Sequence, residues 1–163
     1  MEQTSLLAEL DEKATIENVR SFFKAVHNRP SKFERLVTQA GSSTDDLKSS
    51  VWSDMPKSPS AGNSQENKLA RRLEAQSKLD ACVNAIRAMP LKYRRLFISY
   101  YIDNIYHERL WSDIAEMHHL SRTEANEHMN KALYYFADGY LGDDDFHVYS
   151  KKAYKHSTNA ELM

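Results

Sequence analysis

Residues 110–138 constrain the fold more than any other stretch of the chain. Ile114 and Ala115 mark the inward side of a helix over 110–118. From 122 to 138, Ala125, Met129, Ala132 and Leu133 recur three and four residues apart, the spacing that lines one face of a helix. His119-Leu120-Ser121 lies between the two patterns. Leu120 can plug the space between the helices, and Ser121 can cap the second one by accepting an amide N–H. The small Ala115 lets the second helix cross the first closely. Two helices joined this tightly describe a helix-turn-helix. Polar side chains are left on the outside of the second helix, where such a motif meets base edges in the major groove of double-stranded DNA. The candidate DNA contacts there are Ser121, Arg122, Thr123, Asn126, Glu127, Asn130 and Lys131, with Glu124 beside them.

The remaining segments read as helices too, which makes the expected fold all-α. Ile16, Val19, Phe22, Phe23 and Val26 recur at helical spacing over 6–27, and Asn28-Arg29-Pro30 stops that helix because the residue before a proline avoids the α region. Ser31 and Glu34 form a capping-box pattern ahead of a short helix that buries Phe33, Leu36, Val37 and Ala40, and Gly41 suits its end. These two helices form an expected N-terminal hairpin over residues 1–40. Residues 41–62 are rich in Ser, Pro, Gly and Asp and lack an apolar period, so they read as a linker. Val51-Trp52 and Met55-Pro56 leave two alternatives open, a mobile spacer or a segment lying against a folded surface.

A C-terminal domain is expected over 63–140. Asn63 and Glu66 suggest a capped start, followed by a helix to about residue 88 with Leu69, Leu73, Leu79, Val83 and Ile86 as its stripe, interrupted by Gln76. Pro90 opens the next helix, in which Tyr93, Leu96, Phe97, Tyr100 and Tyr101 mark the apolar side up to Asp103-Asn104. Gly139 can end the last helix. Residues 141–163, with Asp143-Asp144-Asp145 and then Lys151, Lys152 and Lys155, lack a sustained period and read as a partly disordered tail.

Composition limits what such a chain can do. Over 163 residues, 22 basic and 23 acidic side chains leave a net charge of −1, which excludes a generally basic nucleic-acid coat. Five basic residues stand against three acidic ones over 63–89, whereas 121–140 holds two basic and three acidic residues. Phosphate contacts supply most non-specific affinity, so the reading helix alone should bind DNA weakly. Lys92, Arg94, Arg95 and Arg109 are the candidate helpers, with Arg71 and Arg72 behind them. The single Cys82 excludes an intramolecular disulfide and a cysteine-based zinc finger and reads as a small buried hydrophobe. The histidines 107, 118, 119 and 128 complete no recognisable metal-ligand spacing. No Gly-rich phosphate loop, nucleophile elbow or carboxylate pair is present, so no metal, no cofactor and no enzyme activity are expected. The N-terminus lacks the features of a signal peptide and no apolar run is long enough to span a bilayer. The expected location is therefore cytoplasmic, with no membrane partner.

Residues 89–95, 114–116 and 121–133 resemble region 4 of σ70-type factors: a helix opening near Pro90, then the helix-turn-helix. His119 stands where that pattern often has glycine, so a positive φ is expected there. Across residues 11–140 the chain resembles the ArpU family of phage-encoded transcriptional regulators. Three blocks carry that resemblance: residues 11–19, residues 53–66 and the C-terminal motif. It implies control of phage genes, often late or lysis-related, by binding promoter DNA in a bacterial host, hence a nucleoid-associated protein. Host RNA polymerase and a second copy of the chain are the further expected partners. Two other function classes stay open. One is a helix-turn-helix used on protein, as an antirepressor or polymerase adaptor would. The other is a DNA-packaging component resembling a small terminase subunit. Trp111 can contact the sugar-phosphate backbone or pack, and the packing reading leads. The tyrosines at 93, 100, 101, 134 and 135 read as core and rim rather than as base-stacking platforms.

Overall fold

A computed structural model of the protein describes residues 9–41, 63–104 and 108–150. The 42–62 part of the expected linker, His107, and Lys151, Lys152 and Lys155 lie outside the described residues. Within them the fold is helical and contains no strand. In chain order the helices are α1 (Glu12–Phe23), α2 (Lys32–Gln39), α3 (Asn63–Ala88), α4 (Leu91–Phe97), α5 (Trp111–Met117) and α6 (Arg122–Gly139). The α4 helix runs on as a π-helical turn over Ile98–Ile102.

Helix α1 starts at Asp11, whose carboxylate accepts from the Ala14 amide at 3.0 Å. It ends at Phe23, four residues before the position that the sequence pattern suggests. A tight turn explains the early stop: His27 and Asn28 both have positive φ, 49° and 60°, and Arg29 N–H donates to Val26 carbonyl oxygen at 3.0 Å. Asn and His tolerate that conformation better than most residues. Val26 consequently leaves the apolar stripe and is 53 % exposed. Ser31 caps α2 through its Oγ, which accepts from the Glu34 amide at 3.0 Å. Gly41 follows with φ 71°, the left-handed conformation that glycine adopts without penalty.

Helix α3 buries Leu79 and Ile86 of the expected stripe, but its buried face is shifted toward small residues and leaves Leu73 outside. Ala75, Leu79, Cys82, Ala85, Ile86 and Met89 are inside, Val83 is half-buried and Leu73 is 51 % exposed. The reason lies on α6. A Cβ added at Gly139 would sit 3.2 Å from the Ala85 Cα, so the two backbones approach closely enough to require small residues at the crossing. Gly139 therefore belongs to α6 as a contact residue and is not a left-handed helix stop. Gln76, the polar break in the expected stripe, donates to the Ala40 carbonyl at 3.1 Å and satisfies the C-terminal end of α2. Burial pushes the Cys82 thiol up to about 12, which leaves it inert.

One buried cluster joins all of these helices. Val19 and Phe23 come from α1, Phe33 and Leu36 from α2, Leu79 from α3, Leu96 and Phe97 from α4, Ile114 from α5, and Leu133 and Phe136 from α6. The N-terminal helices thus share a core with the C-terminal ones. Phe23 is its centre, with ring centroids of Phe33, Phe97 and Phe136 within 5.0 Å.

Within the expected tail, the stretch around Phe146 to Ser150 is held against the helices, while 151–163 lie outside the described residues. Phe146 is buried against Phe22, Phe136 and Tyr140. Backbone bonds tie Val148 to Asp11 and Ser150 to Glu9, both at 2.8 Å, and the buried Thr15 hydroxyl accepts from the Val148 amide at 2.9 Å. No helical or strand period announces such a segment, because backbone bonds and one phenylalanine hold it.

His147 fastens this segment to α6. Its Nδ1 meets Asp145 at 2.6 Å and its Nε2 meets Asp138 at 2.8 Å. Only the imidazolium can donate from both nitrogens, and the hydrogen bond to Asp138, then that to Asp145, raises the pKa above its usual value. The charged form is thus bound more tightly in the folded chain than in the unfolded one. Its stabilising effect is complete below pH 6.5 and is lost as the pH rises through the folded value. Thermal melts at pH 6 and pH 8 should show a drop with rising pH that shrinks in His147→Gln. An identical drop in both proteins would remove His147 from the cause.

Candidate nucleic-acid interface

The α5–α6 pair is set by three local devices. His119 takes φ 55°, so the chain reverses in the short turn that the sequence suggests. Leu120 packs against the core, and its amide bonds back to the Ala115 carbonyl at 3.0 Å. At the start of α6, Ser121 and Glu124 form a reciprocal capping box: the Glu124 amide donates to Ser121 Oγ at 3.2 Å and the Ser121 amide donates to Glu124 carboxylate at 2.9 Å. These bonds hold the exposed Glu124 carboxyl below its ordinary pKa. Ala115 and Ala125 are buried where the helices meet, and Met129, Ala132 and Leu133 continue the seam.

A second brace fixes α5 from behind. The buried Asn104 side chain accepts from the Arg109 amide and donates to the Arg109 carbonyl, both at 2.9 Å. His118 Nε2 lies 2.8 Å from Ser99 Oγ on the π-helical turn. That turn sends Tyr101 inward against Phe23 and brings Tyr100 edge-on to Trp111 at 4.9 Å.

The candidate DNA contacts divide into three groups. Arg122, Thr123 and Glu127 are exposed on α6 with Lys131 and Asn130. Helical spacing puts Thr123, Glu127 and Asn130 on one outer face, opposite Ala125, Met129 and Leu133. Ser121 and Glu124 are engaged in the cap, so one Glu124 carboxylate oxygen is taken by the Ser121 amide although the side chain is exposed. Asn126 and Asn130 are engaged as well: the half-buried Trp111 indole donates to Asn126 Oδ1 at 2.8 Å, and the Arg20 guanidinium of α1 donates to Asn130 Oδ1. Trp111 is therefore a packing residue with a hydrogen-bonding edge.

The helper cations sit on separate surfaces. Lys92 and Lys131 both stand 5.8 Å from the Tyr93 ring, which stacks on Tyr135 at 5.7 Å and meets His128 edge-on at 5.3 Å. Desolvation, then Lys92, lowers the His128 pKa. Arg94 turns back to the Arg87 carbonyl at 3.3 Å, while Arg95 is exposed. Arg109 is exposed at the start of α5, with one guanidinium nitrogen 3.5 Å from the Met117 sulfur. The Arg72 guanidinium lies where a Cβ on Gly41 would be, at the end of α2. Arg20 and Lys24 are not among the residues that the sequence pattern singles out. Their place beside α6 follows from the α1–α6 packing, for which spacing along α1 carries no signal.

The fold and this face define an all-α protein built on a sharply turned, capped helix pair. Over 137 residues the chain is 31 % identical to a protein of Enterococcus hirae described as "putative autolysin regulatory protein ArpU", matching 83 % of this chain and 92 % of that one. The chain belongs to the ArpU family. That relative is named as a regulator and not as an enzyme. No protein-family model and no solved structure matches the chain significantly. Among the described residues, no helix is long and apolar enough to cross a membrane, and no group of three His, Cys, Asp or Glu residues could hold a metal ion.

Proposed function

We propose that this chain is a phage-encoded, sequence-specific transcription regulator of sigma-like build, and that α6 is its reading helix. The outer face of α6 carries the proposal: Thr123, Glu127 and Asn130 are presented together on a helix whose entry is fixed by the His119 turn and the Ser121–Glu124 box. A glutamate on such a face suits the cytosine amino group, and Thr or Asn suits several base edges. The relative's name, which ties it to autolysin regulation, supports target genes concerned with lysis or late phage functions in the host cytoplasm. Arg122 and Lys131 are the basic residues of α6, so promoter binding draws on cations around it and on a partner, either host RNA polymerase or a second copy. Leu110, 69 % exposed, and Met117, 53 % exposed, bracket α5 and favour a protein contact at this end of the motif.

Selection from a pool of random-sequence duplexes tests the proposal. The full chain should enrich a common motif, and its affinity for that motif should fall steeply with added salt. A pool that stays random after repeated rounds would refute the reading.

A further inference from the structure

We infer that the groove between α1 and α6 seats the phosphodiester backbone of one DNA strand beside the reading face, which makes α1 part of the DNA-binding surface. The inference rests on the DNA-binding reading of α6 and extends it to residues outside the helix pair. The groove has a volume of about 760 Å³ and is open to solvent. Arg20 of α1 and Lys24, the residue just after that helix, line it together with Arg109, Trp111, Asn126 and Asn130, and no carboxylate is among its lining residues.

The hydrogen bonds within the groove select the chemistry of its occupant. An indole N–H and a guanidinium can only donate. Trp111 therefore fixes the Asn126 amide with its oxygen toward the indole, and Arg20 fixes Asn130 in the same sense. What each amide keeps for a ligand is its NH2 group. Together with Lys24 and Arg109 these groups form a wall of donors and positive charge, complementary to the anionic oxygens of a phosphate. Arg20 also pairs with Glu17, so it acts as a positioning residue and Lys24 and Arg109 supply the net charge.

The position of the groove points to a strand of DNA rather than to a free anion. Asn126 and Asn130 belong both to the groove wall and to the reading helix. On the opposite flank of α6, Lys131 and Lys92 meet over Tyr93. A helix in the major groove has a phosphate backbone on each side, and contacts to those backbones set its register. Cations on both flanks of α6 match that arrangement.

The test uses the full chain, the duplex enriched by selection and an unrelated duplex, with binding followed by fluorescence anisotropy over a salt series. Lys24 and Arg109 are exposed, so Lys24→Ala and Arg109→Ala should keep the melting temperature. Each should weaken binding to both duplexes by a similar factor and lower the slope of log affinity against log salt by about one. The enriched motif should stay the same. Arg35→Ala, on the exposed side of α2, should change nothing. An unchanged slope in the variant that combines Lys24→Ala with Arg109→Ala would overturn the groove assignment while the wild-type chain still selects its motif. Loss of deoxyadenosine monophosphate binding in Lys24→Ala without loss of DNA binding would assign the groove to a free nucleotide and overturn it as well. A wild-type chain that binds neither duplex would remove the DNA reading itself, and the inference with it.

Discussion

Phe23→Ala should destabilise the protein by about 3–5 kcal/mol, the usual cost of emptying a buried aromatic position. Phe23 is 4 % exposed and joins more elements than a single packing contact would. Its ring meets Phe33 of α2 at 4.8 Å, Phe97 of α4 at 5.0 Å, Tyr101 of the π-helical turn at 5.3 Å and Phe136 of α6 at 5.0 Å. Edge-to-face pairs such as those with Phe97 and Phe136 add to the area term. These neighbours come from four separate elements, so the cavity cannot collapse by moving one of them. Urea unfolding monitored by circular dichroism measures the loss. A cost near 3–5 kcal/mol with an unchanged denaturant slope is the expected outcome, and Phe23→Leu should recover part of it. A loss under about 1 kcal/mol would mean that α1 does not share the core with α4 and α6. The same substitution bears on function, because α1 and its C-terminal end bring Arg20 and Lys24 to the side of the proposed reading helix.

The sequence made the α5–α6 pair legible almost residue by residue. Its governing interactions are local: the seam of α6 repeats every three or four residues, Ser121 caps within its own helix, and the turn reaches positive φ at His119, where the resemblance to region 4 puts a glycine-like position. Gly41 was legible for the same reason. Interactions between distant segments were not. The buried face of α3 keeps Leu79 and Ile86 of the expected stripe but adds Ala75, Cys82 and Ala85, because Gly139 brings α6 close, and nothing in the α3 pattern announces a neighbour that demands small side chains. The leucines that dominate its hydrophobicity lie partly outside the core. The 141–150 segment, held by backbone bonds to residues 9–11 and by Phe146, has no periodic signature at all. On the candidate site, the outward positions of Thr123 and Glu127 could be read from helical spacing. The capture of Asn126 by Trp111 and of Asn130 by Arg20 could not, since each joins residues from different elements. That difference alters the expected roles. Glu124 stabilises the start of α6, Asn126 and Asn130 are oriented amides on the groove wall, and Glu127 is left as the carboxylate in the middle of the outer face.

Glu127 therefore offers the sharpest test of whether α6 reads bases. A carboxylate there can accept from the amino group of cytosine, and a well-made contact to a base edge discriminates against the wrong base by about 1–3 kcal/mol, or roughly five- to 150-fold. Glu127 is exposed and none of the structural bonds described above runs through its side chain, so Glu127→Ala should leave stability unchanged within about 0.5 kcal/mol. Repeating the random-duplex selection with Glu127→Ala and comparing its motif with the wild-type motif measures the contribution directly. The prediction is a motif conserved at every position but one, where the preference for a single base pair relaxes toward equal use of all four. A variant that enriches the identical motif with undiminished preference at every position would contradict the assignment of the α6 outer face as the surface that reads DNA.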